Sequence, residues 1–376
     1  MRTARIAVAV VFAAVAAAAQ QTEGGRFRGS DGRFDVSGFL ETRGGFLAAP
    51  ILITEPAVGY GGGLAALFFH RTQHQPGSTQ PSGRFIPPSV SAVAGFATEN
   101  GSKGGLVAHF GVWRNDRVRY LGVAGAASLN LDYWGTPARP VSDPLQYEVR
   151  GMLIIQRLLF RIGDGPFLAG GEVSWSTQDA EFESLLLPPG TPPRRTEQDD
   201  GGAGFVGEYE TLDNIFTPTR GVKARTIAKV FSENLGGDNE RQRLDLEALA
   251  YLPLPRRLTL GLRGDFAFSS GETPFYLLPY LNMRGLPALK YAGEHTALGE
   301  IEARWNAFGR WSVVAFGGVG LASDQIAGLP DATPIGTIGA GVRYLLAERL
   351  GLHTGIDVAR GPDDAAFYII VGSAWR

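Results

Sequence analysis

Residues 277–306 read LLPYLNMRGLPALKYAGEHTALGEIEARWN. The last eleven of them form a period-2 pattern, the signature of a strand between two unlike environments. Leu298, Glu300, Glu302, Arg304 and Asn306 share one face; Ala297, Gly299, Ile301, Ala303 and Trp305 share the other. The first face carries three charged groups and the second none. A buried globular core would not tolerate that many charges, whereas a membrane barrel with a polar lumen does. Just before this strand, Met283-Arg284-Gly285-Leu286 sits in a long connecting segment.

The same alternation runs through nearly the whole chain. Val222, Ala224, Thr226, Ala228 and Val230 oppose Lys223, Arg225 and Lys229; Leu244, Leu246, Ala248 and Ala250 oppose Arg243, Asp245 and Glu247. Leu106, Ala108, Phe110 and Val112 oppose Gly105, His109 and Gly111. Runs of about ten residues match a tilted membrane-crossing strand and exceed the usual strand of a soluble sandwich. Sixteen runs are predicted, near 45–53, 57–70, 88–99, 103–114, 117–131, 146–161, 166–178, 201–212, 219–232, 241–253, 256–269, 296–306, 311–322, 335–345, 349–359 and 365–375. The expected fold class is all-β, a transmembrane antiparallel β-barrel of about 16 strands with a lumen-inserting outer loop. Tight connections at 253–255, 307–310 and 346–348 alternate with long ones at 180–199, 270–295 and 322–334. That fits short periplasmic turns and longer outer loops. The long connection at 71–87 breaks the pattern.

The N-terminus sets the expected destination. A basic head (Arg2, Arg5) precedes an apolar run over residues 6–19, the layout of a secretory signal peptide and too short to span a bilayer. The expected organisation is a signal peptide (1–19), a short polar periplasmic segment (20–44) and an outer-membrane β-barrel (45–376). Glycine at 52 of 376 residues argues against helix. No cysteine is present, so disulfides, thiolate metal sites and cysteine nucleophiles are excluded. A formal charge of −2 gives no footprint for nucleic acid. Trp305, Trp311 and Trp375 all fall at the expected periplasmic interface, where amphipathic rings collect.

Three local patterns carry a family resemblance. Residues 213–221 read DNIFTPTRG, Met283-Arg284-Gly285-Leu286 follows the eleventh run, and the last run ends in an aromatic, Trp375. Together, over roughly residues 45–376, these resemble the outer-membrane assembly-factor superfamily, the BamA/TamA-type bacterial surface antigen barrels. The resemblance implies a sixth outer loop folded back into the lumen, where Arg284 pairs with lumen-facing Glu302 or Glu300. A guanidinium fork suits a carboxylate, and Gly285 permits a close turn. It also implies that Phe316, Gly318 and Gly320 face the lumen on the thirteenth strand. The family's Phe-x-Asp-x-Gly is here Phe316-Gly317-Gly318-Val319-Gly320, so one acidic partner for Arg284 is missing. Residues 20–44 are too few for a POTRA domain, so a barrel-only member is expected.

Enzyme signals are weak. His70 and His74 are the one histidine pair with ligand-like spacing, and no acidic residue accompanies them. No metal or cofactor is expected. A barrel phospholipase would need a Ser–His pair on one outward face, and Ser91 with His109 is a candidate that chance outweighs. Three functions remain: insertion or translocation of protein or lipid at the outer membrane; a passive pore, with Lys223, Arg225, Lys229, Arg243, Arg263, Arg304 and Arg343 lining the lumen beside Asp245, Glu247, Asp265, Glu302 and Asp357; or a structural or surface-binding barrel. The expected partners are outer-membrane lipid, unfolded outer-membrane protein or lipid clients, and a separate periplasmic protein.

Overall fold

The computed structural model describes residues 28–38, 46–55, 57–70, 86–183 and 191–375. The first eight strands are β1 Phe46–Ile53, β2 Gly61–Phe69, β3 Val90–Thr98, β4 Lys103–Trp113, β5 Val118–Thr136, β6 Arg139–Arg161, β7 Phe167–Phe182 and β8 Arg195–Glu210. The second eight are β9 Gly221–Phe231, β10 Arg241–Leu254, β11 Leu258–Gly271, β12 His295–Phe308, β13 Trp311–Ser323, β14 Ile335–Ala347, β15 Leu352–Arg360 and β16 Ala365–Val371. Each pairs antiparallel with the next in one sheet ordered β1 to β16, a nearly closed barrel. Among the described residues no helix is long and apolar enough to cross a membrane. The strands do the crossing, and their ladders satisfy the backbone groups that a bilayer cannot.

The outer face explains the alternation. Leu64, Met152, Phe160, Val173, Phe205, Ile301 and Val358 point away from the lumen and are exposed. At the short-turn end Trp113, Trp305, Phe308 and Trp311 form an outward aromatic girdle.

Most expected strands differ from the observed ones by a few residues at their ends. The larger departures have local causes. β5 and β6 run on into one long hairpin closed at Thr136 and Arg139, because Leu131, Tyr133 and Tyr147 bury against Phe182 and stiffen what polar residues had marked as a loop. β7 and β8 likewise reach Phe182 and Arg195, well into the expected long connection. The final strand stops at Val371, since Gly372 takes φ +84° and its N–H donates to the His353 carbonyl. The unusual connection at 71–87 lies largely outside the described residues, as do His74 and residues 1–27.

The two halves of the wall differ inside. From β9 to β15 the lumen face carries Lys223, Arg225, Glu247, Arg263, Glu302, Arg343 and Asp357, as the charge pattern predicts, and Glu208 of β8 joins them. From β2 to β6 it is mainly apolar, with Leu67, Val90, Phe96, Leu106, Phe110, Val123 and Ile155 turned inward and Arg119 and Arg157 the charged exceptions. The register fixes this: Arg119, which reaches lumen-facing Glu208 and Glu210, shares its β5 face with Leu121 and Val123, and these pair across to Phe110 and Ala108. In 103–114 the apolar face therefore points into the lumen, and His109 points out.

Candidate functional site in the lumen and at the seam

The connection between β11 and β12 folds as a short hairpin: Gly293 N–H donates to the Pro279 carbonyl and Leu281 N–H to that of Tyr291. Its tip, Met283 to Leu286, is buried, with Leu281, Met283 and Leu286 in one apolar cluster against Leu298, Ala322 and Ile335. Arg284 stands at that tip. Its Nη1 donates to Asp357 Oδ2 at 2.7 Å, and its Nη2 lies 2.9 Å from Glu302 Oε2 in an ionic contact without directed hydrogen-bond geometry. The guanidinium carbon sits 3.5 Å from the centre of the Phe316 ring. Asp357, fully buried, is gripped from the other side by Arg343 through both nitrogens at 2.5 and 2.8 Å. One carboxylate thus joins two guanidinium groups, the geometry that offsets the cost of burying charge.

Asp357 corrects two sequence expectations. The acidic partner missing from the thirteenth strand is supplied by β15. Glu300, the second expected partner of Arg284, belongs to another pair: Arg263 Nη1 donates to its Oε2 at 2.6 Å, and Arg263 also holds Asp265 and the Asn282 carbonyl of the loop. Asp357 was legible as a lumen carboxylate, but its pairing needs the loop tip to meet β15, which alternation does not encode. Gly341 was also missed. A Cβ there would fall 1.9 Å from Asp357 Oδ1, so its hydrogen makes room for the carboxylate.

The glycines of the site act through space and backbone shape. Gly285 takes φ +96°, and its N–H donates to Tyr368 Oη of β16 at 2.8 Å. A Cβ on Gly318 would lie 2.6 Å from Glu300 Cγ and 3.2 Å from Met283 Sδ; one on Gly320 would strike Leu281 at 2.8 Å. Phe316, Gly318 and Gly320 thus form the wall on which the loop rests.

The remaining lumen charges of β7–β11 are paired as well. Lys229 and Arg157 both meet Glu172, Arg225 meets Glu247 at 2.5 Å, and Arg243 meets Asp245 at 2.9 Å. Arg304 instead donates to the Pro218 carbonyl at 2.8 Å, drawing the 211–220 turn under the barrel.

The loop also reaches both edges of the sheet. Tyr291 Oη and Lys290 Nζ meet Asp363, between β15 and β16, at 2.8 and 2.9 Å. The Ala288 N–H donates to Glu55, between β1 and β2, at 3.0 Å. Between those edges no ladder joins β1 to β16 among the described residues. The Thr54 hydroxyl donates to the Phe367 carbonyl, and Tyr60 stacks on the Phe367 ring with centroids 6.1 Å apart.

Comparison with solved structures gives the architecture its place. Over 87% of this chain and 70% of the other, it matches BamA from Haemophilus ducreyi lacking POTRA domains 1–3, at TM-score 0.55 and 12% identity. CdiB from Acinetobacter baumannii matches over 87% of this chain and 59% of its own, at TM-score 0.55 and 10% identity. CdiB from Escherichia coli matches over 86% and 62%, at TM-score 0.56 and 11% identity. The chain has the barrel fold of BamA and CdiB. It spans less than two thirds of either CdiB chain. No protein-family model and no curated protein matches it.

At the short-turn end this BamA-like barrel is crossed by chain. Trp375 lies beyond β16 and is buried among Leu212, Leu249 and Tyr251; a Cβ on Gly261 would come within 2.8 Å of its ring. That overturns its expected place in the last strand and the outer girdle. Alternation ran on past Gly372, where the chain turns inward instead. A strap over residues 28–38 binds the same end, where Arg310 meets Asp31 at 2.7 Å, Asp35 at 2.5 Å and Glu348 at 3.1 Å. The hydrogen bond from Arg310 holds the Asp31 carboxyl down at about 2. Burial pushes Asp35 up, but hydrogen bonds from Ser37 and Arg310 outweigh it and leave it below its ordinary value.

The structure does bring Ser91 and His109 together on the lipid-facing side. Ser91 Oγ is 2.8 Å from His109 Nδ1 and 2.7 Å from His70 Nε2. His109 stands among His70, Trp113 and Tyr120 rather than beside a carboxylate that would orient it as a base. Among the described residues no group of three or more His, Cys, Asp or Glu could hold a metal ion.

Proposed function

We propose that this barrel resides in a bacterial outer membrane and inserts or translocates protein or lipid there, with the β1–β16 seam as its working part. The seam, across which no ladder runs among the described residues, carries the reading. Two strand edges not joined by a ladder present backbone donors and acceptors that an incoming strand can complete by β-augmentation. The loop that bridges the seam through Tyr368, Asp363 and Glu55 is anchored by Arg284 to Glu302 and Asp357, so it acts as a lock on both edges. The apolar inner wall from β2 to β6 begins beside the seam and suits an apolar client. Outer-membrane lipid and unfolded outer-membrane proteins are the clients this favours, with a separate periplasmic protein delivering them. Residues 1–19, as a secretory leader, fit export to that compartment.

A passive pore is the weaker reading. Its lumen charges are largely neutralised in pairs, and the loop and the C-terminal tail occupy the path that ions would take.

The test is insertion of an unfolded model barrel into liposomes containing the purified protein or its Arg284→Ala variant. Faster folding than in empty liposomes, altered by the substitution, is expected. Equal rates with and without the protein would rule out autonomous insertion.

A further inference from the structure

On the lipid-facing side, outside the lumen, the wall from β2 to β6 carries a group of polar side chains that closing a barrel does not require. His70 follows the last residue of β2, Ser91 is the second residue of β3, and His109 of β4 pairs with Ser91 across the ladder. Tyr120 and Gln156 extend the group onto β5 and β6. Polar groups on such a face are costly unless something hydrogen-bonds them.

Their neighbours set their level in the membrane. Trp113, part of the outward girdle, stacks on Tyr120 with ring centroids 5.9 Å apart, and its centroid lies 6.4 Å from that of His109. Girdle rings sit at the headgroup boundary, so the group meets the headgroup layer of the leaflet at the short-turn end. The wall is shaped for these rings. A Cβ on Gly111 would lie 2.6 Å from the Trp113 ring, and one on Gly122 would lie 2.4 Å from Tyr120 Oη. Both glycines thus leave room for a ring to fold down, and Tyr120 Oη crosses Gly122 to donate to Gln156 Oε1.

The histidine pair supplies the hydrogen-bonding groups. Ser91 Oγ is 2.8 Å from His109 Nδ1 and 2.7 Å from His70 Nε2. A hydroxyl has one hydrogen, so it donates to one ring and accepts from the other. With both imidazoles neutral, the ring that accepts from Ser91 carries an N–H on its far nitrogen, and the ring that donates carries a lone pair there. Those far nitrogens, His109 Nε2 and His70 Nδ1, have no hydrogen-bond partner among the described residues. His70 is exposed and His109 half-buried. Ser91 therefore holds one donor and one acceptor at the lipid surface.

The chemistry of the group selects what lies against it. Among the described residues no acid, lysine or arginine is hydrogen-bonded to these side chains, so the group is neutral and favours neither a bare anion nor a bare cation. A headgroup with a phosphodiester oxygen to accept and a primary ammonium to donate satisfies both far nitrogens. The ammonium is also drawn to the faces of Trp113 and Tyr120. We propose that this patch binds the headgroup of a zwitterionic, ethanolamine-bearing phospholipid of the surrounding leaflet, one histidine donating to its phosphate and the other accepting from its ammonium. The site is independent of the insertion role and requires only that this wall face lipid.

The full barrel in detergent would be mixed with phosphatidylethanolamine, phosphatidylcholine, phosphatidylglycerol or diacylglycerol of matched chains, and the bound lipid counted by native mass spectrometry. Phosphatidylethanolamine is expected to be retained roughly fivefold better than the others, the gain of about one net hydrogen bond. That preference should vanish in the double variant His70→Leu/His109→Leu and weaken in Ser91→Ala. Leucine suits a lipid-facing position, and the gel-mobility shift of unboiled barrel checks that each variant is folded. Equal retention of diacylglycerol would reduce the site to acyl-chain contact, and a preference for phosphatidylglycerol would make it an anion site. Either result, or folded variants with the parent's preference, would overturn the proposal. Equally strong binding of chain-free glycerophosphoethanolamine would make the occupant a soluble phosphodiester and overturn it as well.

Discussion

The two halves of this barrel solve the problem of a lumen in opposite ways. From β8 to β15 the inner wall is charged, and the charges are consumed: Arg284, Arg343, Glu302 and Asp357 tie a loop to the wall, while Arg263, Arg225 and Lys229 pair among neighbouring strands. From β2 to β6, apart from Arg119 and Arg157, the inner wall is apolar, with Leu106 and Leu153 each more than 40% exposed. The charged half is therefore the rigid one, since each buried ion must keep its partner. The apolar half, next to the seam, has such a constraint only at Arg119 and Arg157, which pair with acids of β7 and β8. The difference teaches that lumen polarity marks where chain is held, and its absence marks where something else can enter.

That contrast can be broken by substitution. Arg284→Ala leaves Glu302 without its cation and frees the loop, and is expected to cost about 3–5 kcal/mol, the usual result of breaking a buried pair; denaturant titration of the folded gel band measures it. Phe316→Leu keeps the ions and removes the ring beneath the guanidinium, for a loss of about 1–2 kcal/mol. Arg284→Lys falls between these two, because an ammonium cannot hold Asp357 and lie flat on Phe316 at once. In the apolar half, Leu153→Gln is expected to change stability by less than about 0.5 kcal/mol, as at other exposed positions. It should nonetheless slow client folding in liposomes. A large loss of stability there would erase the contrast between the halves.

The smallest effect concerns the strap at the short-turn end. Asp31 has its pKa depressed from 3.8 to about 2 by Arg310. Its contribution to holding the strap is fully present above about pH 4 and is lost as pH falls through 2. Hydrogen exchange of residues 28–38 should therefore be flat from pH 7 to 4 and faster at pH 2, relative to the intrinsic rate. Arg310→Gln should remove that dependence.

Much of the architecture was legible because alternation is a direct consequence of a two-faced wall. The loop against Glu302 was implied by the family resemblance that Arg284-Gly285 helps to carry, and the charged pattern at 296–306 alone does not encode it. Alternation, however, reports that two faces differ and not which one meets lipid. Leu106, Ala108, Phe110 and Val112 thus gave a correct strand and no warning that its apolar side lines the lumen. Pairings between distant strands were hidden for the same reason. Asp357 was visible as a lumen carboxylate, but nothing local ties it to Arg284, 73 residues away. Trp375 misled because its parity continued that of Ile369 and Val371, while the single turn at Gly372 decides where the ring goes.

The seam is the central claim, and the chain's lack of cysteine makes it directly testable. Thr54→Cys and Phe367→Cys place one thiol on each edge, where the Thr54 hydroxyl already meets the Phe367 carbonyl. The rate at which an unfolded model barrel folds into liposomes would be measured with this pair oxidised and then reduced. Acceleration that is lost on oxidation and restored by reductant is the predicted result. Acceleration unchanged by the cross-link would contradict the account and move the activity away from the seam.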